Sequence, residues 1–260
     1  MTDSNHHDPD HAAPKDTRFG DGAVEPPANP LFVGVGDLCA RLPRSIGVDG
    51  AAVAVLSPAT QSRELVYATD VVAQRLDELQ YTIGEGPCFD AYHDDRPQSY
   101  PELDDIVGAA PRWPTFAADA AQMGVHAVFD FPVPDGQRPM GVLELYRRAP
   151  GALTDFQHGL ASSSASAIAT RLQANWESLV SMTGSADAAV DVAVNAVVMN
   201  DPPDEFTRLR IHIAAGVVAE QLGIPADVGV DRLRAHAYAS ERPLSSVAAD
   251  VIARRLTLPR

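Results

Sequence analysis

VHAVFDFPVPDGQRPMGVLELYR, residues 125–147, decides the fold. Val125, Ala127, Phe129, Phe131 and Val133 recur at period two, the repeat of a strand that turns one face to a core. Asp135-Gly136 is a turn dipeptide, and residues 140–147 read as the returning strand of an antiparallel hairpin. Upstream, the apolar run at 51–56 has the length and boundaries of a buried strand. Residues 64–69 follow the turn signal Ser57-Pro58, so these two segments pair as a second hairpin. Ser99 and Tyr100 fit a short edge strand that Pro101 ends. Helices are expected at 71–79, at 115–123 and at 31–42, the last with Leu31, Val35, Leu38 and Leu42 on one face. Downstream, Thr154 and Gln157 have the spacing of a capping box. They open a long helix carrying Phe156, Leu160, Ile168, Leu172, Trp176 and Leu179. Residues 31–182 therefore read as one α+β domain.

Gly184 breaks the long helix, and the small apolar residues of 186–199 form a helical connector at 183–200. A separate tail spans 201–260. Asp201-Pro202-Pro203 starts it, Asp being a good cap and Pro tolerated in a first turn. The first tail helix carries Phe206, Leu209, Ile213 and Val217 and ends at Leu222-Gly223, where Gly suits a left-handed cap. The second carries Ala226, Val230, Leu233 and Ala237 inward. The third follows Pro243 with Leu244, Val247, Ala248, Val251 and Ile252. Three short amphipathic helices with brief turns make an all-α bundle.

Composition narrows the function. The chain has 260 residues, 45% apolar, with a net charge of −15. Residues 1–30 are rich in Asp, His, Pro and Ala and are expected to be disordered. His6, His7 and His11 lack a carboxylate or Cys framework to fix a metal geometry, so a solvated tail is the expectation and no metal is assigned. The opening MTDSNHHDPD has no basic, apolar or cleavage region of a signal peptide. No apolar run approaches the roughly 20 residues that span a bilayer. The expectation is a cytoplasmic protein with no membrane partner. The acidity belongs to the front of the chain: residues 205–260 hold eight Arg and six acids, whereas the remaining 204 residues hold 12 bases and 29 acids. Arg suits bidentate phosphate recognition better than Lys, and it equally suits exposed helix faces.

No Walker loop, Gly-rich dinucleotide turn, HExxH or nucleophile elbow is present. Gly84-Glu-Gly-Pro-Cys88 is the nearest approach to a functional loop. A Cys at a loop-to-helix junction can be activated by amide dipoles, but no oriented base accompanies it. Tight glycine turns with Cys88 packed as a small hydrophobe account for the loop. No enzyme activity and no cofactor are expected.

GEGPCFDAYHDDRP (84–97), WPTFAADAAQMGVHAVFDFPV (113–133) and GVLELYR (141–147) resemble the GAF domains of actinobacterial regulators. The resemblance implies a small-molecule or signal-sensing module with a central antiparallel sheet and flanking helices, and with it an unidentified small-molecule ligand. Cys88, Tyr92, Trp113, Phe129 and Phe131 are its candidate lining residues, although aromatics at alternate strand positions also serve as plain core. IHIAAGVVAEQLGIPADVGVDRLRAHAYASERPLSSVAADVIARRL (211–256) resembles the ANTAR domain, a three-helix RNA-binding module of transcription antitermination regulators. Ala215 stands where many members carry Lys, which removes a phosphate contact.

The candidate RNA-binding residues are Gly216, Arg232, Arg234, His236, Tyr238 and Arg242. A Gly within a helix costs roughly 1 kcal/mol relative to Ala, so Gly216 implies close approach, either of another helix beside Ala214 and Ala215 or of nucleic acid. Cations beside a ring that stacks on an unpaired base suit RNA loops; a dipole-complementing helix end is the other reading. The resemblance implies a homodimer that holds paired RNA hairpins of nascent transcripts, with Leu172, Trp176 and Leu179 expected at the dimer contact. Two other classes remain: a protein-interaction adaptor whose ANTAR domain has lost RNA binding, and a small-ligand-binding protein.

Overall fold

A computed structural model describes residues 29–57, 62–103, 105, 112–136, 138–199, 208–240 and 242–259. The expected N-terminal tail before residue 29, Pro58 of the first turn signal, the cap at Asp201-Pro202-Pro203 and Phe206 lie outside them. Five strands, β1 (Gly50–Ser57), β2 (Ser62–Ala68), β3 (Gln98–Tyr100), β4 (Ala127–Val133) and β5 (Gly141–Arg147), form one antiparallel sheet in the order β2-β1-β5-β4-β3. Both expected hairpins are present, and β3 is an edge strand that stops before Pro101.

Helices cover both faces of the sheet. On one side, α1 (Val35–Cys39) and α5 (Asp155–Thr183) pack on Phe129, Phe131, Leu143 and Leu145. On the other, α2 (Val71–Ile83), α3 (Pro87–Asp94) and α4 (Pro114–Gln122) cover Val128, Val142 and Tyr146. With helices on both faces, successive residues of β4 and β5 are buried regardless of their parity. Local signals explain the helix ends. The Asp70 side chain accepts from the Val72 and Ala73 amides and starts α2. Thr154 and Gln157 cap α5 reciprocally, as their spacing predicts.

Two expectations for this region are corrected. Residues 31–42 do not form one helix: Gly34, at φ +77°, separates a 3-10 turn at Pro30–Phe32 from α1. Phe156 is exposed rather than in the seam of α5, which begins instead at Ala161 and Ala165. Leu172 and Leu179, expected at a dimer contact, are buried within the chain. Leu172 lies in the core of the sheet domain, and Leu179 packs on Ala189 and Ala193 of α6 (Ala186–Met199).

The tail helices α7 (Arg208–Leu222), α8 (Ala226–Ala239) and α9 (Leu244–Ile252) share their own apolar core. The seam of α7 differs from the expected one. Ile211, Ala214, Ala215 and Val218 are buried, whereas Ile213 is 49% exposed. Small residues make this seam because α8 approaches closely: a Cβ on Gly229 would lie 2.5 Å from the Ala215 carbonyl oxygen. On α8 and α9, Val230, Leu233, Ala237, Leu244, Val247, Ala248 and Val251 are inward as expected, while Ala226 and Ile252 are not.

Candidate functional site

The strand register sets Asp130 of β4 directly opposite Glu144 of β5. Both point to the α2 side of the sheet and both are buried. Two carboxyl groups so placed cannot both ionise cheaply. Burial and the neighbouring Glu144 hold the Asp130 carboxyl well above its ordinary range. Burial also pushes Glu144 up, to about 7, against the pull of Arg63 and of hydrogen bonds from Gln80 and Asp130. The pair therefore keeps a proton in neutral solution. Gln80 of α2 bridges it to the next helix, donating from Nε2 to Glu144 while its Oε1 accepts from the Cys88 amide at 3.0 Å. That amide lies in the first turn of α3, whose entry needs Gly86 at φ +141°.

One turn back on α2, the buried Asp77 carboxylate pairs with Arg63 at 2.5 Å and with Arg208 of α7. Burial first, then the adjacent Arg63, opposes the charge on Arg208, and Glu64 works against them. One turn after Asp77, Tyr81 belongs to the core of the tail bundle. Arg208 and Arg234 flank its ring, with guanidinium carbons 4.8 and 5.3 Å from the centroid. The Tyr81 carbonyl accepts from Arg234 Nε at 3.0 Å and Nη2 at 2.8 Å. Beside this contact runs a groove of about 980 Å³, lined by Leu79, Ile83 and Asp119 of the sheet domain and by Arg234, Tyr238 and Arg242 of the tail.

The candidate RNA residues fall into separate places. Arg234 is committed to Tyr81 and Asp231, and Arg242 pairs with Asp250 at 2.5 Å. Tyr238 is 75% exposed beside them. Arg232 and His236, one turn apart, lie on another flank of α8, since roughly 100° separates successive residues. Gly216 faces open space, where an added Cβ would meet nothing within 4 Å; the close helix approach uses Gly229 instead.

The candidate ligand residues are also divided. Phe129 and Phe131 pack on the α5 side of the sheet, whereas Cys88, Tyr92 and Trp113 lie on the α2 side. They do not line one pocket. Both cysteines are free and buried, and burial raises their thiols, Cys39 to about 12 and Cys88 well above its usual value. Among the described residues, no three His, Cys, Asp or Glu side chains group as a metal site requires, and no helix is long and apolar enough to cross a membrane.

Sequence reasoning missed Arg63, Asp77, Gln80, Asp130, Glu144 and Arg208. A signal existed for two of them: Asp130 and Glu144 are lone acids in otherwise apolar strands.

The chain is similar in fold to the GAF domain region of a Geobacter sulfurreducens PCA protein, at 17% identity over 55% of this chain and 93% of that one, with a TM-score of 0.46. A GAF domain from a Coxiella burnetii phosphoenolpyruvate-protein phosphotransferase matches at 13% identity over 55% and 82% of the two chains, TM-score 0.44. A type II free methionine-R-sulfoxide reductase from Thermoplasma acidophilum matches at 13% identity over 55% and 92%, TM-score 0.40. No curated protein matches the chain. The family model for the GAF domain matches residues 36–172, more than half the chain and all five strands of the sheet, and the chain belongs to the GAF domain family.

Proposed function

We propose that the protein is a signal-responsive RNA-binding regulator of transcription antitermination, in which the GAF domain senses and the C-terminal bundle, read as an ANTAR domain, binds RNA hairpins. The observation that carries this reading is the bundle itself. It is a three-helix unit with its own apolar core, and α8 exposes Arg232 and Tyr238. Two copies acting as a homodimer on paired hairpins belong to the same reading, as does an unidentified small-molecule ligand on the sensor. The protein works by binding rather than catalysis in this view. Thiols raised by burial support it, because an activated cysteine requires the opposite shift.

Gel-shift competition between hairpin RNA and matched duplex DNA tests this function on the full chain. Hairpins are expected to win. Arg232→Gln is expected to weaken binding and to flatten its salt dependence by about one phosphate contact. Tyr238→Ala is expected to cost roughly 1–3 kcal/mol with the salt slope unchanged, because stacking releases no counterions. Equal competition by duplex DNA, or two variants that bind like the parent, would remove the hairpin reader from this surface.

A second reading, the protein-interaction adaptor, is favoured by one observation. Arg208, Arg234, Arg242 and Arg255 all engage protein groups, which withdraws much of the tail's positive charge from any polyanion.

A further inference from the structure

One turn of α2 serves two sites. Gln80 ties it to Glu144 beneath the sheet and to the first turn of α3. Asp77 and Tyr81, three residues before and one after, tie it to the bundle.

The bundle contact has the features of a specific lock. Tyr81 is a sensor residue that completes the core of the other unit. Its carbonyl is one of the last four of α2, which lack partners within the helix, and Arg234 satisfies it with two donors. Gly84 makes room for that guanidinium: a Cβ there would lie 3.1 Å from Arg234 Nη1. Arg208 adds a buried pair with Asp77 and donates to the Arg63 carbonyl at 3.1 Å. His212 Nε2 lies 3.3 Å from the Tyr81 hydroxyl.

We propose that this Tyr81-centred contact is an autoinhibitory lock that closes the bundle onto the sensor and withholds Arg234 from RNA until a signal at the sensor loosens α2. The identity of what is withheld rests on the RNA-binding reading above; the lock itself does not. Gln80 supplies the route. Whatever displaces its bonds to Glu144 or to the Cys88 amide disturbs the turn that carries both Asp77 and Tyr81. While the lock is closed, apparent RNA affinity falls in proportion to the fraction of open molecules.

Full-length Arg208→Met tests the lock, because it leaves the Arg63–Asp77 pair of the sensor intact and Arg208 is not among the proposed RNA contacts. Amide hydrogen exchange and hairpin binding are read together. Faster exchange at residues 77–84 and 226–239, with hairpin affinity raised about tenfold or more, supports the lock. Exchange and affinity both unchanged overturn it. Faster exchange without hairpin binding by either protein upholds the lock and overturns the RNA reading. Should Arg208→Met fail to fold, His212→Lys replaces it. That change adds a third cation near Arg208 and Arg234, outside both apolar cores. Faster exchange in this variant supports the lock, and parent-like exchange in a folded variant overturns it.

Discussion

Asp130 and Glu144 sit side by side on neighbouring strands, where water cannot share the cost of their charge. An acid in that position stores a pH dependence. The folded-state value of Asp130 is raised by burial first and by Glu144 second. The folded protein therefore holds a proton that the unfolded chain releases above about pH 4. Stability from this group is complete below that value and is lost as pH rises through the folded one. Asp130→Asn replaces the protonated acid with a neutral amide of the same shape, which keeps an N–H donor for Glu144. The variant is expected to melt like the parent at pH 5 and about 2–4 °C higher at pH 8, the equivalent of about 1 kcal/mol for a chain of this size. Melting curves across pH decide it; parallel profiles for the two proteins would mean that the pair carries no proton.

At the scale of elements, the glycines of helix ends show which local signals matter. Gly184 ends α5 at φ +81°, and a Cβ there meets nothing within 4 Å. Gly86 enters α3 at φ +141°, and a Cβ there would collide with Gln80 Oε1. Gly184→Ala is expected to cost about 1 kcal/mol, the backbone penalty alone. Gly86→Ala adds a collision with the carboxamide that holds Glu144, on top of roughly 1–3 kcal/mol of backbone strain. Denaturant titration should place the second variant well below the first; equal losses would show that Gln80 moves aside freely.

Much of this architecture is written in local patterns. The alternation of 127–133, the turn at Asp135-Gly136 and the Thr154–Gln157 capping box each name an element that is present. The seam of α7 escapes such a reading for a physical reason. Large side chains mark a buried face only where the neighbouring helix leaves them room, and the Gly229 approach instead makes Ala214 and Ala215 the seam and leaves Ile213 outside. The polar cluster is legible only as two lone acids in apolar strands. Tyr81 and Arg234 are 153 residues apart, and no periodicity encodes their meeting.

For the whole molecule, the contact between sensor and bundle ought to respond to pH through His212. Burial first, then Arg234 and Arg208, lowers its pKa below the usual 6.5. The titratable and charged groups around it come from three elements: Arg208 on α7, Arg234 on α8, and on α2 the neutral Tyr81 hydroxyl, itself near Arg63 and Glu64. The docked imidazole is therefore neutral, and an undocked one returns toward its ordinary value. Docking then binds fewer protons than release, so its strength is complete above about pH 6.5 and declines as pH falls through the lowered value. Between those values each pH unit shifts the closed-to-open ratio by up to about tenfold. Amide exchange of α7 and α8, corrected for intrinsic rates, is expected to speed up between pH 7.5 and pH 5.5. His212→Gln keeps a side chain that can hydrogen-bond Tyr81 and removes the titration, so its exchange should be nearly flat over the same range. A variant that retains the parent's full response would assign the effect to another group. Glu144 is not that group, because its raised pKa gives the opposite sense: protonation relieves the cost of its burial. The sign of the response alone therefore separates the two.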